Sequence, residues 1–329
     1  MIICKTPFRI SFFGGGTDYP VWYRKYGGAV LSTTIDKFCY ITCRYLPPFF
    51  DHKYHIVYSK DEKVNKISEI DHPAVRETFR FMKINKGLEI HYDADLPAKS
   101  GLGSSSSFTV GLLHILNALR GRMVSSQDLA LDAIHIEQEI LRENVGSQDQ
   151  IAAAYGGFNR ISFNRDSSIS VVPMIINPSK IKELQKHLLF FFTGFSRIAS
   201  NIAGQQIKNT PNKKNELSTM YNFVDEAAAI LKSGKNDIEE FGKLLHQSWL
   251  LKRSLTNKIS NPKIDEIYDM ALKAGALGGK LTGAGGGGFM LLFARPENHK
   301  RIKEKLKEFL FVPVQFEKSG SKIIVYNGQ

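Results

Sequence analysis

The sequence predicts an α+β protein whose second half is rich in helices. In the first half, short apolar runs typical of strands are interspersed with segments of helical spacing. Leu129, Ala133, Ile136 and Ile140, for example, share one face of a predicted helix. In the second half, four predicted helices follow one another between residues 198 and 274 before strands return. These observations predict a mixed architecture in two domains.

The predicted elements follow in chain order. A seam at Asn177-Pro178 separates an N-terminal domain, residues 1–177, from a C-terminal domain, residues 178–329, and 329 residues suffice for two such cores. In the first domain we predict strands at residues 1–10, 29–35, 38–45, 88–92 and 158–163, and helices at residues 108–120, 126–142 and just after Gly146. In the second domain we predict strands at residues 188–192, 288–293, 312–316 and 322–326, and helices at residues 198–208, 216–232, 237–250, 262–274 and 296–310.

Composition and charge exclude several classes of protein. Hydrophobic residues at 43% and charged residues at 23% are ordinary for a globular chain. The net charge is +12, yet the basic residues are scattered and form no stripe interleaved with aromatics. We therefore expect no nucleic-acid partner, and we expect some of the charge to serve an anionic substrate. Without an apolar run of membrane-spanning length or a signal-like N-terminus, we expect a cytoplasmic protein with no membrane partner.

The three cysteines are predicted to be buried thiols in a reducing compartment. Cys4, Cys39 and Cys43 do not have the spacing of a metal-binding set. Cys39 and Cys43 share one face of a predicted strand with Ile41, so we expect them in the core. An odd number of cysteines indicates a cytoplasmic setting rather than a disulfide framework.

A glycine- and serine-rich loop at residues 96–107, L-P-A-K-S-G-L-G-S-S-S-S, is the most informative segment. At the start of a helix such a loop presents unpaired N–H groups and the positive end of the helix dipole, which suits phosphate. The alternative is a serine N-cap behind a flexible loop. Lys99 could touch phosphates or lie in solvent. To phosphate binding we assign Pro97, Lys99, Ser100, Gly101, Leu102, Gly103, Ser104, Ser105 and Ser106.

A second constellation, P-F-R-I-S-F-F-G-G-G-T-D-Y-P, spans residues 7–20. Arg9 lies on a predicted strand, and Asp18 follows a triple-glycine turn nine positions later. A carboxylate there could accept hydrogen bonds from sugar hydroxyls while the glycine backbone leaves room for the ligand. A glycine-rich turn capped by an aspartate is the alternative. To substrate binding we assign Gly14, Gly15, Gly16, Thr17 and Asp18.

Two acidic residues form a third constellation. Glu137 lies within the predicted helix at residues 126–142, and Asp149 begins the next short helix. Carboxylate oxygens are the ligands that a hard cation such as Mg²⁺ prefers, and a carboxylate can also act as a general base. The alternative for Glu137 is an exposed charge on a helix surface.

The fourth constellation is the glycine run G-G-K-L-T-G-A-G-G-G-G-F at residues 278–289. Gly283, Gly285 and Gly288 spell a dinucleotide fingerprint, but a strand rather than a helix follows them. Leu281 occupies the position that a Walker loop gives to Ser or Thr. We expect the run to pack tightly against another loop, namely residues 101–107, and a tight β-turn is the alternative.

Taken together, the four segments resemble the GHMP kinases, and the resemblance covers essentially the whole chain. It implies an N-terminal domain like ribosomal protein S5 domain 2, a ferredoxin-like C-terminal domain, and an active site between them that binds ATP and Mg²⁺. It further implies that Asp149 is the base, that Arg9 lies beside the accepting hydroxyl, and that Ser105 with Glu137 ligates Mg²⁺. By the same resemblance we place Gly285 beside ATP and Gly283 beside the substrate.

One departure from the family pattern suggests the substrate. Galactokinases carry Glu-His where this chain has Gly15-Gly16, which removes a carboxylate and volume. The triple-glycine motif at residues 14–16, together with F-T-G-F-S-R at residues 192–197, resembles the heptose 7-phosphate kinases. This resemblance implies a sugar phosphate substrate, with Arg197 binding the phosphate at the far end of the sugar. The alternatives are an L-fucokinase-like enzyme on a neutral sugar and a nucleotide-binding sensor without catalysis. Whether copies of the chain form a homo-oligomer stays open.

Overall fold

The computed structural model describes residues 1–98, 100–194, 199–233 and 238–327, and it leaves the side chains of residues 199 and 200 undescribed. Lys99 and Arg197 therefore lie outside the described residues. Strands and helices are mixed along the chain, so the predicted α+β class is confirmed. Within the described part, no helix combines the length and the apolar character needed to cross a bilayer.

The strands are β1 (Ile2–Phe13), β2 (Gly28–Tyr45), β3 (Tyr54–Val57), β4 (Asp61–Val64), β5 (Leu88–Ala94), β6 (Phe158–Phe163), β7 (Ile169–Pro173), β8 (Leu188–Phe192), β9 (Ala276–Leu281), β10 (Phe289–Ala294), β11 (Leu310–Phe311), β12 (Phe316–Glu317) and β13 (Lys322–Tyr326). The α-helices are α1 (Pro20–Tyr26), α2 (Pro73–Phe81), α3 (Ser104–Leu119), α4 (Ser126–His135), α5 (Gln148–Tyr155), α6 (Pro178–Lys186), α7 (Ala199–Asn209), α8 (Lys214–Lys232), α9 (Ile238–Ser254), α10 (Pro262–Lys273) and α11 (His299–Lys305).

The larger sheet is built around β1 and the long strand β2. Its central path runs β13-β1-β2-β5-β3-β4, while β6 and β12 also pair with β2 and β7 pairs with β6. One half of β2 pairs with β6 and the other half with β5, so a single strand replaces the two that we predicted at residues 29–35 and 38–45. Helix α3 packs on this sheet through Phe108, Leu112 and Leu116, which share a core with Ile41 and Ile90.

The smaller sheet is antiparallel, with the order β11-β8-β10-β9. Every residue of β10 is buried, as expected for a central strand covered on both faces. Helix α9 packs against β9 and contributes the fully buried Trp249. Both sheets meet in shared apolar clusters, so the two halves of the chain have a continuous interior.

Several predicted elements differ from the structure. The predicted helix at residues 296–310 is shortened to a 3-10 turn and α11, and the predicted strand at residues 312–316 is wrong, since that segment connects β11 to β12. The helix predicted at residues 126–142 ends as α-helix at His135 and continues as a π-helical turn over Ile136–Ile140. The short elements α1, α2, α6, β3, β4, β7 and β9 were not predicted.

The predicted seam coincides with the start of α6, where Asn177 caps the helix by accepting a hydrogen bond from the Ser179 N–H at 2.9 Å. Pro178 follows at the first helical position, where its missing N–H costs nothing. The chain beyond residue 178 does not form a structurally separate unit, because β12 and β13 pair with β2 and β1 of the larger sheet. The domain boundary between residues 177 and 178 stays a prediction. Strands β12 and β13 lie beyond it in sequence but belong to the larger sheet.

Candidate active site

The glycine- and serine-rich loop opens directly into α3, as predicted. Gly103 is the N-cap residue and adopts the left-handed conformation, with φ of +76°. Because glycine has no side chain, it cannot satisfy the N–H groups of the first helical turn, which lack partners within the helix. These N–H groups and the helix dipole together make the start of α3 suitable for binding an anion.

Arg9 and Asp149 form a bidentate ion pair beside this helix start. The Nε of Arg9 donates to Oδ1 of Asp149 at 2.7 Å, and its Nη2 donates to Oδ2 at 2.8 Å. The Nη1 of Arg9 donates to the Gly101 carbonyl at 2.9 Å, which ties the pair to the loop. A Cβ at Gly103 would lie 3.4 Å from both Arg9 Cγ and Asp149 Cγ. Arg9 is almost wholly buried, whereas the Asp149 side chain keeps 26% of its surface exposed, so the carboxylate can still reach a ligand.

Asp18 closes the glycine turn next to this pair. Its Oδ1 accepts a hydrogen bond from the Gly16 N–H at 2.9 Å, and its Oδ2 accepts one from Gln148 Nε2 at 3.0 Å. Burial raises the pKa of Asp18, and the charge of Asp149 raises it further. A Cβ at Gly146 would lie 1.8 Å from Asp18 Oδ2, so that position requires glycine. The aspartate is therefore clamped between the turn and the segment that leads into α5.

Thr17, which we assigned to substrate binding, has its side chain directed into the protein interior. The residue is fully buried, and its hydroxyl lies within donor distance of two carbonyl oxygens, Gly14 at 2.8 Å and Ala29 at 2.9 Å, while accepting from the Ala29 N–H. Gly14 has φ of +82°, and a Cβ there would lie 1.9 Å from the Ala29 carbonyl oxygen. Thr17 and Gly14 thus hold the turn against β2, and we expect Thr17 to support the site without touching a ligand.

Glu137 lies in the π-helical turn and faces α3. Its Oε2 accepts hydrogen bonds from Ser106 Oγ at 2.8 Å and from Gln150 Nε2. Its Oε1 is buried and has no hydrogen-bond partner among the residues that the structure describes. Burial raises the pKa of this carboxyl to about 7, against the lowering effect of its hydrogen bonds. An orphaned, buried carboxylate oxygen is what a site for a hard cation requires, so these residues fit Mg²⁺.

The structure pairs Glu137 with Ser106 and not with Ser105, which is exposed. Successive residues of a helix differ in direction by about 100°, so neighbouring serines cannot face the same carboxylate. Ser106, and not Ser105, is therefore the serine hydroxyl that contacts Glu137, while Ser105 faces solvent, and the Mg²⁺ ligand set stays a prediction. Ser107 turns inward, and its Oγ donates to the Pro7 carbonyl at 2.9 Å.

The C-terminal glycine run packs against the phosphate loop, as the sequence predicted. A Cβ at Gly283 would lie 2.5 Å from Gly101 Cα, and one at Gly288 would lie 2.2 Å from the Ser100 carbonyl oxygen. Both glycines have positive φ. A Cβ at Gly285, which we placed beside ATP, would lie 2.8 Å from the Cα and the carbonyl oxygen of Ile259, so this glycine packs closely against that backbone. The run therefore fixes residues 100 and 101 by close backbone contact.

Two buried lysines behind the site were not predicted. Lys280 Nζ donates to the carbonyls of Ser11 and Phe12, each at 2.9 Å, and Lys252 Nζ donates to the Gly283 carbonyl. The pKa of Lys252 is lowered to about 8, mainly by burial and also by the charge of Arg9, against the raising effect of Asp18 and Asp149. Burial also lowers the pKa of Lys280 well below its usual value, and Lys252 adds to that effect.

The site therefore gathers three basic side chains, Arg9, Lys252 and Lys280, and three acidic ones, Asp18, Glu137 and Asp149. The start of α3, with the Arg9 guanidinium beside it, favours anionic ligands. The lysines gave no sequence signal, because lysine is usually exposed and both lie in otherwise ordinary helix and strand patterns. Gln148 and Gln150 did lie next to Asp149 in the sequence, and their contacts with Asp18 and Glu137 show why that motif is rich in polar residues.

Comparisons with known proteins agree with this arrangement. The family model "GHMP kinases N terminal domain" matches residues 67–157, and "GHMP kinases C terminal" matches residues 227–311. The D-glycero-alpha-D-manno-heptose 7-phosphate kinase of Campylobacter jejuni is 29% identical over 97% of this chain and 97% of its own length. The galactokinase of Pyrococcus furiosus is 27% identical over 94% of each chain.

A solved structure has the same fold. The D-glycero-D-manno-heptose 1-phosphate kinase of Bacteroides thetaiotaomicron superimposes with a TM-score of 0.74, covering 99% of this chain and all of the other, at 23% identity. The two family models together match more than half of the chain, and the N-terminal model precedes the C-terminal one. The chain thus belongs to the GHMP kinases and is an ATP-dependent kinase.

Proposed function

We propose that this kinase phosphorylates the anomeric hydroxyl of D-glycero-D-manno-heptose 7-phosphate to give the 1,7-bisphosphate. The observation that carries the proposal is the Arg9–Asp149 pair held against Gly103 at the start of α3. This contact brings a carboxylate with free lone pairs to the end of a helix that can hold a phosphoryl group. The likeness to the Campylobacter heptose 7-phosphate kinase supports the choice of sugar.

The acceptor space lies next to the glycine turn. A Cβ at Gly15 would meet Gln148 Nε2 at 3.9 Å and Ser11 Oγ at 4.0 Å, which are ordinary van der Waals distances, so the glycine lies directly beside these two polar side chains without a clash. Ser11 Oγ and Gln148 Oε1 are both buried and lack partners among the described residues. Buried polar atoms of this kind need a partner, and sugar hydroxyls can supply one. Asp18, fixed by the Gly16 N–H, adds a carboxylate to the same wall.

The roles of the residues follow from these contacts. The N–H groups at the start of α3 bind the ATP phosphates, and Asp149 orients the anomeric hydroxyl and can take its proton. Arg9 fixes Asp149 and offsets negative charge on the transferred phosphoryl group. Glu137 and Ser106 would hold Mg²⁺, which when bound would neutralise charge on the phosphates. Since phosphoryl transfer depends mainly on positioning and electrostatics, no covalent intermediate on the protein is needed.

The distal phosphate of the sugar needs a cation of its own. Arg197 is our candidate from the sequence, because an Arg fork matches phosphate geometry. Arg197→Ala should raise the KM for the 7-phosphate and leave the KM for ATP unchanged. A loss of turnover without any change in KM for the sugar phosphate would remove Arg197 from this role.

A panel of acceptors tests the proposal. ADP release is measured with D-glycero-D-manno-heptose 7-phosphate, the same heptose without its phosphate, L-fucose and D-galactose, and ³¹P NMR locates the new phosphate. We expect kcat/KM for the 7-phosphate to exceed that for the unphosphorylated heptose by about 10–100-fold, since one charge-assisted phosphate contact contributes about 1.5–3 kcal/mol. A neutral sugar that performs as well, or a product phosphorylated away from the anomeric carbon, would refute it.

A further inference from the structure

The outer face of the larger sheet carries an imidazole–carboxylate cluster formed by His55, Glu89 and His91. His55 of β3 lies directly opposite Glu89 of β5 in a parallel register, and Glu89 and His91 point to the same side of β5. The residues between them in the strands, Leu88 and Ile90, are buried in the core that contains α3. The cluster therefore lies on the sheet face opposite to α3 and belongs to neither the phosphate loop nor the acceptor space.

The donor atoms of the cluster are close enough to share one ion. They all lie within 4.8 Å of one another. Glu89 Oε1 is 2.8 Å from His91 Nε2 and 3.5 Å from His55 Nδ1. In a tetrahedral zinc site with bonds of about 2.0–2.1 Å, ligand atoms are separated by about 3.3–3.4 Å. Small side-chain rotations would thus convert the hydrogen-bonded arrangement into a metal-bound one.

The groups around the cluster have the arrangement of an outer ligand shell. The second ring nitrogen of His55, Nε2, lies 2.8 Å from Asp61 Oδ1, so Asp61 can fix the tautomer that leaves Nδ1 free as a ligand. Arg44 binds the other oxygen of Glu89, Oε2, and holds the carboxylate in place. His52 meets His55 edge to face with ring centroids 5.4 Å apart, and its buried Nε2 has no partner in the described part of the chain.

We propose that His55, Glu89 and His91 form a second metal site, which binds a divalent transition metal of the Zn²⁺ class. Two imidazoles with one carboxylate suit Zn²⁺ and related ions and do not suit Mg²⁺ or Ca²⁺, which prefer oxygen ligands throughout. The site binds through His55 Nδ1, Glu89 Oε1 and His91 Nε2, with Asp61 as a positioning residue and His52 as the nearest candidate for a fourth ligand.

The site has a structural consequence because it joins two elements. Strands β3 and β4 are only four residues long each and form a hairpin at the edge of the larger sheet. Short edge strands have little stability of their own. A metal ligated from both β3 and β5 ties this hairpin to the central strands, so binding stabilises the fold.

The test uses Zn²⁺ and Co²⁺ as probes on chelator-treated protein, with excess Mg²⁺ present to occupy the oxygen site at Glu137. Isothermal titration with Zn²⁺ gives stoichiometry and affinity, and the visible spectrum of bound Co²⁺ reports imidazole ligation. The variants are His55→Ala, His91→Ala and Asp61→Asn. His135→Ala, which removes an exposed histidine at the end of α4, is the matched control.

We expect one tight equivalent of Zn²⁺ and a Co²⁺ spectrum in the wild type and in His135→Ala. Both should be lost in His55→Ala and His91→Ala, and Asp61→Asn should weaken binding about 10–100-fold. Circular dichroism and kinase activity show whether each variant is folded. Equal Zn²⁺ affinity in wild type and the two alanine variants, or no binding by folded wild-type protein, would overturn the proposal.

Discussion

Glu137→Gln offers the sharpest test of the cation site. The Glu137 side chain is 1% exposed, and burial raises its pKa from an ordinary 4.5 to about 7. The folded protein therefore binds this proton more tightly than the unfolded chain does. The stability that the group contributes is fully present below about pH 4.5 and is lost as the pH rises to about 7.

The size of this loss follows from the shift. Each pKa unit corresponds to about 1.4 kcal/mol, so ionisation of Glu137 costs the metal-free protein about 3 kcal/mol above pH 7. Gln has the same shape and cannot ionise, so the variant escapes this pH-dependent cost. Any constant cost of burying the amide cancels when the two pH values are compared. For 329 residues, about 3 kcal/mol corresponds to about 4 °C in Tm.

The assay is urea or thermal unfolding of the metal-free wild type, Glu137→Gln and Glu139→Gln at about pH 5 and pH 8. Glu139 lies in the same π-helical turn but is exposed, so its variant is the matched control. The stability of Glu137→Gln relative to wild type should rise by about 3 kcal/mol between the two pH values, and Mg²⁺ should stabilise the wild type only at the higher pH. Parallel pH curves for wild type and Glu137→Gln would refute the assignment of a buried, ionisable cation ligand.

Three further predictions concern the anion site and its support. Asp149→Asn should lower kcat at least about 100-fold in an ADP-release assay, and near-normal turnover would leave Asp149 a purely positional role. Lys252→Met removes the hydrogen bond to the Gly283 carbonyl behind the site and should lower kcat/KM about tenfold, whereas Lys243→Met, on the exposed face of the same helix, should match the wild type. Gly283→Ala places a methyl group within 2.5 Å of Gly101 Cα. It should lower the free energy of unfolding in urea by about 1–3 kcal/mol more than Gly121→Ala, a control glycine that also has positive φ but has open space around it. Equal losses for the two variants would show that the close packing of Gly283 is unimportant.

Much of this architecture could be predicted from local patterns. The strand at residues 158–163 and the helices around residues 108–120 and 262–274 were placed within a few residues, because their apolar spacing and their glycine and proline signals are local. The opening of α3 directly after the loop at residues 96–107 was also predictable, and Gly101 and Gly103 do adopt positive φ there, while phosphate binding by this loop stays a prediction. The expectation that Cys4, Cys39 and Cys43 are buried free thiols is confirmed.

The errors have physical causes as well. Choosing Ser105 over Ser106 requires the rotation of α3 about its axis, which packing on the sheet decides and which a run of four serines does not reveal. Lys252 and Lys280 were missed because their burial depends on carbonyls that distant segments supply. The loss of the predicted strand at residues 312–316 has a similar origin, since the pairing of β12 is with β2, nearly the whole chain away.

The pairing of β13 with β1 has a consequence for how the molecule is made. Strand β1 carries Arg9, and its outer edge is completed by residues 322–326, which the ribosome adds much later in the chain. Until those residues are made, that edge is an exposed template for unwanted strand pairing. Ser321, which hydrogen-bonds to Thr6 at 2.9 Å and to His114 at 2.9 Å, then fastens β13 to the much earlier strand β1 and helix α3.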